Sequence, residues 1–275
     1  MSGAAVRALR VTRLVDGAGG EVDDQVAVEE PLEVRVNGAP FAVIMRTPGQ
    51  DVPLAAGFLL AEDVVRAADD IASIEQCDDV DAEARGNVLN VTVTGEAAER
   101  VAARLSERRQ IITTAACGLC GRRTIESIRA RVTSVGGAWT VPAAVVSRLP
   151  GALREALAAF ALTGGIHASA LCDLDGRVRL AADDVGRHNA LDKIVGRALL
   201  EGRLPLDDAL LVVSGRSSYE LVQKALLAGV PLVAGVSAPS SLAVDLAQAA
   251  GITLCGFVRG TSMNVYTHPQ RITGL

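Results

Sequence analysis

Lysine is nearly missing from this chain. Of 27 basic residues in 275, only Lys193 and Lys224 are lysines, and the rest are arginine. Aromatic residues make up 3%, so a core has to be built from Ala, Val, Leu and Ile. There is no basic excess either. Against 32 acidic side chains the net charge is −5, with a pI near 5.3. That excludes a general nucleic-acid binder, which needs a basic face to displace counterions, but allows a local basic pocket for one anionic ligand. No apolar run is long enough to span a bilayer, because ALLAGVPLVAGV is broken by glycine and proline. The first residues, MSGAAVRALRVTRLVDGAGG, lack the apolar stretch of a signal peptide. Cysteine is scarce and odd in number: Cys77, Cys117, Cys120, Cys172 and Cys255. With no export signal this predicts a cytoplasmic protein with free thiols and no structural disulfide.

What is present divides the chain into four stretches. Residues 1–20, rich in Gly and Ala without sustained periodicity, are expected to be flexible. Residues 21–110 read as a small α+β unit. It holds strands over 32–38 and 41–47 with Asn37-Gly38 at a hairpin turn, and a helix over 51–63 with Asp51 as its N-cap. Strand-like runs follow at 71–79 and 87–95, then a helix over 96–109. Residues 111–135 hold a cysteine loop and a short helix. From 136 to 275 the pattern predicts one or two helices over 142–162, interrupted at Pro150-Gly151, and a hairpin over 168–185 turning at Asp175-Gly176. Helices over 187–201, 217–229 and 241–250 then alternate with strands over 208–215, 231–236 and 252–258. Such alternation reads as an α/β fold with a mainly parallel, helix-covered sheet.

Ligands of such sheets bind beyond the carboxyl ends of the strands. Three loops leave strands there: SGRSSYE (214–220), VSAPSS (236–241) and FVRGTS (257–262). They gather serine hydroxyls, helix-start amides, Arg216 and Arg259, a set suited to phosphate groups. Ser217 and Glu220 form a capping-box pattern. ADDVGRHNALDK adds Asp184, Arg187 and His188 at another helix start. His167 follows two glycines, and a single histidine there reads as structural.

The pair Cys117 and Cys120, in TTAACGLCGRR, admits metal binding, disulfide exchange or sulfur carriage. A structural zinc needs four ligands, and no second CxxC supplies them, so no metal is expected. The zinc-deaminase signature HxE…PCxxC fails on His167-Ala168-Ser169, where serine stands in place of the glutamate and the order is reversed. A thioredoxin-type pair belongs after an early strand, not in mid-chain. Arg122, Arg123 and the following helix start favour a thiolate. That physics suits both redox exchange and persulfide chemistry.

Six segments in order resemble the FdhD family: AACGLCG (115–121), TGGIHASAL (163–171), DDVGRHNALDK (183–193), SGRSSYELVQKA (214–225), SAPSSLAVDLA (237–247) and GFVRGTSMNVYTHPQRI (256–272). The resemblance runs from about Pro31 to the C-terminus. It implies a cytidine-deaminase-like mixed α/β sheet with flanking helices and a smaller N-terminal α+β unit. It also implies a sulfurtransferase function. A cysteine desulfurase donates a persulfide sulfur, which is passed to the bis-guanine-dinucleotide molybdenum cofactor for formate dehydrogenase. By the same resemblance Cys117 is the persulfide residue and Cys120 its companion. The cofactor-binding segment falls on Phe257, Val258, Arg259, Gly260, Thr261 and Ser262. Arg216 and Ser217, with Asp184, Arg187 and His188, join it by position. A symmetric homodimer is the default expectation for such a protein. Two readings from other classes stay open: a cofactor-binding chaperone without sulfur transfer, and a zinc-stabilised interaction protein.

Overall fold

The computed structural model describes residues 5–108, 134–157 and 163–274. Strands β1 (Val6–Val15) and β2 (Ala18–Ala27) form an antiparallel ribbon. Over residues 6–20 this corrects the flexible stretch expected there, and residues 1–4 lie outside the described ones. The ribbon closes at Asp16-Gly17, both with positive φ (50° and 82°), the backbone that a tight two-residue hairpin turn requires. Most ribbon side chains are exposed, so no core-facing alternation marks it in the sequence.

Strands β3 (Glu30–Val36) and β4 (Ala39–Arg46) turn at Asn37-Gly38 as expected. Helix α1 (Asp51–Ala61) follows, and its N-cap is Gln50, not Asp51. Asp51 is instead held by the buried Arg46 through two bonds of 2.9 and 3.0 Å. Strands β5 (Ile71–Gln76) and β6 (Val88–Val93) complete a sheet ordered β4-β3-β6-β5, with β3 and β6 parallel, before helix α2 (Glu96–Arg108).

After the undescribed stretch, β7 (Val141–Pro142) leads into helix α3 (Ala143–Ala156). The interruption expected at Pro150-Gly151 does not occur. Val145, Val146, Leu149 and Leu153 are buried on one side of α3, and their packing holds it through the proline. Strands β8 (His167–Cys172) and β9 (Val178–Asp184) form the predicted hairpin. Then come α4 (Arg187–Leu200), β10 (Leu210–Val213), α5 (Tyr219–Leu227), β11 (Leu232–Gly235), α6 (Ser241–Ala250), β12 (Thr253–Arg259) and β13 (Ser262–Val265). A two-residue strand, β14 (Ile272–Thr273), pairs with β7.

The large sheet runs β13-β12-β11-β10-β8-β9 and is mixed: only β10, β11 and β12 are parallel. Its strands alternate between two cores. Ala170, Val212 and Ala234 pack with α3, while Leu171, Leu211 and Val233 pack with α4, α5 and α6. That second core also takes in Leu32, Val34, Leu54 and Leu59 of the small sheet and α1, so the two units share one apolar interior. Their contact is close because of two glycines. A methyl group at Gly57 would run into the Asp192 carbonyl, and one at Gly196 into the Pro53 carbonyl. Such an interior-spanning core of aliphatics is what a chain poor in aromatics must build.

Candidate functional site

The carboxyl ends of β10, β11 and β12 emerge at one edge, and the loops leaving them are tied into a single ledge. Ser217 N–H donates to the Ala238 carbonyl (3.2 Å), Ser240 N–H to the Ser217 carbonyl (3.0 Å) and Phe257 N–H to the Ser237 carbonyl (3.2 Å). Ser240 also caps α6 through Ala243 N–H. Gly235 leaves room for Ser217, since a methyl group at that position would lie 2.6 Å from Ser217 Oγ and displace it. Phe257 takes a left-handed φ of 52° and is 41% exposed, an aromatic ring held out of the ledge by its own backbone. Gly260 is also left-handed, at 56°. Arg216, Arg259, Thr261 and Ser262 are exposed. Arg259 Nε reaches the Val236 carbonyl at 3.4 Å, and Ser262 Oγ donates to the Arg259 carbonyl.

Two donors at this edge are buried without a partner among the described residues: Ser217 Oγ and Arg187 Nε. Buried polar groups are nearly always hydrogen-bonded, and these two orphans lie beside exposed arginines and helix starts, donors that a water or an acceptor-bearing group reaching them would complete. His167 faces the same corner across Gly215. Burial, then Arg187, lowers its pKa and keeps it neutral.

Two residues assigned to the site by sequence do other work. Val258 is fully buried in the core beneath α3, so its side chain cannot line a ligand. Asp184 is also fully buried, and four donors surround its carboxylate. They are Thr47 N–H (3.1 Å), Gly186 N–H (2.8 Å), Asn189 Nδ2 (2.8 Å) and Lys193 Nζ (2.8 Å). It fixes the start of α4 to the loop after β4, and no lone pair is left for a ligand.

His188 connects the edge to a second region. Its Nε2 lies 3.2 Å from Ser218 Oγ and its Nδ1 lies 3.3 Å from Glu220 Oε2. The order Ser–His–Glu has the outline of a nucleophilic triad, but the electrostatics contradict it. Burial, then Lys224 and Arg187, push His188 down to about 3, so it is a poor base. Burial pushes Glu220 up to about 7, so it is a poor anionic anchor. Nor is Glu220 a cap: the N-cap of α5 is Ser218, whose side chain makes no bond to the amides of its own helix. Glu220 belongs to a ladder between α4 and α5, whose second rung is Lys224 Nζ gripping both Asp192 oxygens at 2.7 Å. Sequence reading missed Asp192 and Lys224. The available signal was the spacing His188/Asp192 and Glu220/Lys224, each i,i+4 on helices rich in buried aliphatics.

Cys117 and Cys120 lie outside the described residues. Cys172 and Cys255 are buried free thiols pushed up to about 12 by burial, which makes them inert packing atoms. Cys77 is a partly buried free thiol. Among the described residues no cluster of three His, Cys, Asp or Glu could hold a metal, and no helix is long and apolar enough to cross a membrane.

Fold and edge together define a mixed α/β protein with a donor-rich ledge at the ends of its parallel strands. The chain belongs to the FdhD/NarQ family, whose sequence profile matches residues 27–273. It is 45% identical to the sulfur carrier protein FdhD of Nocardia farcinica, over 99% of this chain and 96% of that one. Its identity to the sulfur carrier protein FdhD of Anaeromyxobacter dehalogenans is 48%, over 92% of this chain and 90% of that one. For the sulfur carrier protein FdhD of Mycobacterium tuberculosis it is 48%, over 91% and 92%. The fold matches the crystal structure of a formate dehydrogenase accessory protein from Desulfotalea psychrophila. The TM-score is 0.77 at 23% identity, over 98% of this chain and 100% of that one.

Proposed function

We propose that this protein is a sulfur carrier for formate dehydrogenase maturation. A cysteine desulfurase loads a persulfide onto Cys117, with Cys120 in support. The outer sulfur then passes to a molybdenum cofactor bearing two guanine dinucleotides, which is cargo here. The observation that carries the cargo half of this reading is the pair of orphaned buried donors, Ser217 Oγ and Arg187 Nε, on a ledge with Arg216, Arg259 and the helix starts. Pyrophosphates suit those donors, and the exposed Phe257 ring offers a face for a guanine. Family membership supports the sulfur half.

The deaminase-like frame of the resemblance can also be set against the helix starts. His188 opens α4, and Ser217 and Glu220, three apart, open α5. Set beside HxE and CxxC, these helix starts carry Ala190 for the glutamate, and Ser217 and Glu220 for the two cysteines. Such a frame would keep its pocket and lose its metal.

The test is intact-mass spectrometry after incubation with a cysteine desulfurase and cysteine, on wild type, Cys117→Ala and Cys120→Ala. A reducible gain of one sulfur that vanishes in Cys117→Ala is expected. No gain in wild type, with the desulfurase shown active, would overturn sulfur carriage and leave a cofactor-binding chaperone.

A further inference from the structure

Behind the ladder lies a cavity of about 500 Å³ between β4, α1, α4 and α5, a volume typical of small-ligand pockets. Ile44, Met45, Phe58 and Leu227 form apolar walls, and the polar floor is unusually one-sided. Among the described residues four carboxylates line it, Glu29 and Glu62 toward the outside and Asp192 and Glu220 within, against a single cation, Lys224.

The donors of that floor are largely spent. Lys224 Nζ gives two 2.7 Å bonds to Asp192 and stands 3.7 Å from Glu220. Both amide hydrogens of Asn189 are taken, by the Met45 carbonyl and by Asp184. One acceptor is not spent. Glu220, with 8% of its side chain exposed, keeps Oε2 without a hydrogen-bond donor among the described residues, and the nearest nitrogen, His188 Nδ1, is 3.3 Å away outside bonding geometry. A buried carboxylate oxygen left open is costly, and burial raises the proton affinity of Glu220 even though Lys224 opposes it.

An anion would meet excess negative charge here, and a neutral polar molecule would find one amide donor, at Gln223. We propose that this cavity binds a compact cation, an ammonium or guanidinium group on an apolar stem. The head lies against Glu220, and the stem lies between Phe58, Met45 and Leu227. This inference stands on the cavity alone and does not require the sulfur-carrier reading.

The experiment is calorimetric titration of the full chain at pH 8 with n-butylguanidine and n-pentylamine, using n-pentanol and hexanoate as neutral and anionic isosteres. Both cations should bind with Kd on the order of 1 mM, as befits ligands of fewer than ten heavy atoms, and the isosteres at least about tenfold more weakly. Glu220→Gln should weaken the cations by about tenfold or more. Ala61→Phe, which fills the cavity from α1, should abolish binding while circular dichroism shows the fold intact. Equal binding of pentanol, or unchanged cation affinity in Ala61→Phe, would overturn the proposal, as would no binding of either cation to wild type.

Discussion

Helices α4 and α5 serve two regions of opposite chemistry barely one turn apart. At their N-terminal ends, on the sheet edge, Arg187 Nε and Ser217 Oγ are donors in search of an acceptor. One turn deeper, facing β4 and α1, Glu220 Oε2 is an acceptor in search of a donor. His188 sits between them, touching Ser218 on one side and Glu220 on the other. Held neutral by its burial, it insulates the two without adding charge to either. The two regions also differ in what holds them. The edge is tied mainly by backbone hydrogen bonds between loops, whereas the ladder is tied by buried side-chain ions. Loops joined through their backbones leave their side chains free to vary, while buried side-chain ions fix one packing of helices.

That contrast can be broken most severely at the lower rung. Lys224→Met would leave Asp192 as an uncompensated buried charge and should cost about 3–5 kcal/mol in urea unfolding. A loss below about 1 kcal/mol would mean that the ladder does not lock the helices. The next largest effect concerns pH. Glu220 has a folded-state pKa of about 7 against its ordinary 4.5, raised by burial and opposed by Lys224, with Asp192, Glu62 and Arg187 as its other charged neighbours. The folded protein therefore retains a proton that the unfolded chain releases. The stability this group contributes is full below about 4.5 and is lost as pH rises through about 7. Between pH 5 and 8, wild type should lose about 2.5 kcal/mol more than Glu220→Gln, since each pKa unit corresponds to about 1.4 kcal/mol and part of the window lies below pH 5. Parallel pH curves would place the open acceptor elsewhere. The smallest stability effect is expected at the edge. Ser217→Ala removes an unbonded hydroxyl and should change unfolding by no more than about 1 kcal/mol, toward greater stability. Arg259→Glu, on an exposed side chain, should be similarly mild. Both should weaken GDP binding severalfold, and unchanged affinity would remove them from the ledge.

Much of this fold was legible because its strands and helices are punctuated clearly. Asn37-Gly38 and Asp175-Gly176 turn where expected, and the alternation after residue 187 gave every helix and all three parallel strands. The failures have physical causes. Asp16-Gly17 closes a ribbon whose two faces are mostly wet, so periodicity gave no warning. Pro150 looked like a breaker because propensity cannot see the apolar packing that carries α3 past it. The site was half visible. The serine- and arginine-bearing loops could be placed at one edge from topology alone. Whether Asp184 was a ligand contact or a fully bonded strut depended on Thr47, some 137 residues away. Glu220 was misread for a related reason. A carboxylate three residues after a serine suggests a capping box, and only the tertiary neighbours His188 and Lys224 reveal that it faces a cavity.

The two lysines close the account of that scarcity. Lys193 and Lys224 are 2% and 5% exposed, each clamped to an aspartate, so the folded side-chain surface carries guanidinium groups but no ε-amine. Acylating, alkylating and carbonyl-condensing reagents that seek lysine can reach it only when a seam parts. The two positions watch different seams: Lys193 the joint of α4 with the loop after β4, and Lys224 the contact between α4 and α5. Modification at each lysine is therefore a clock for one local opening, and the chain carries two such clocks in its native sequence.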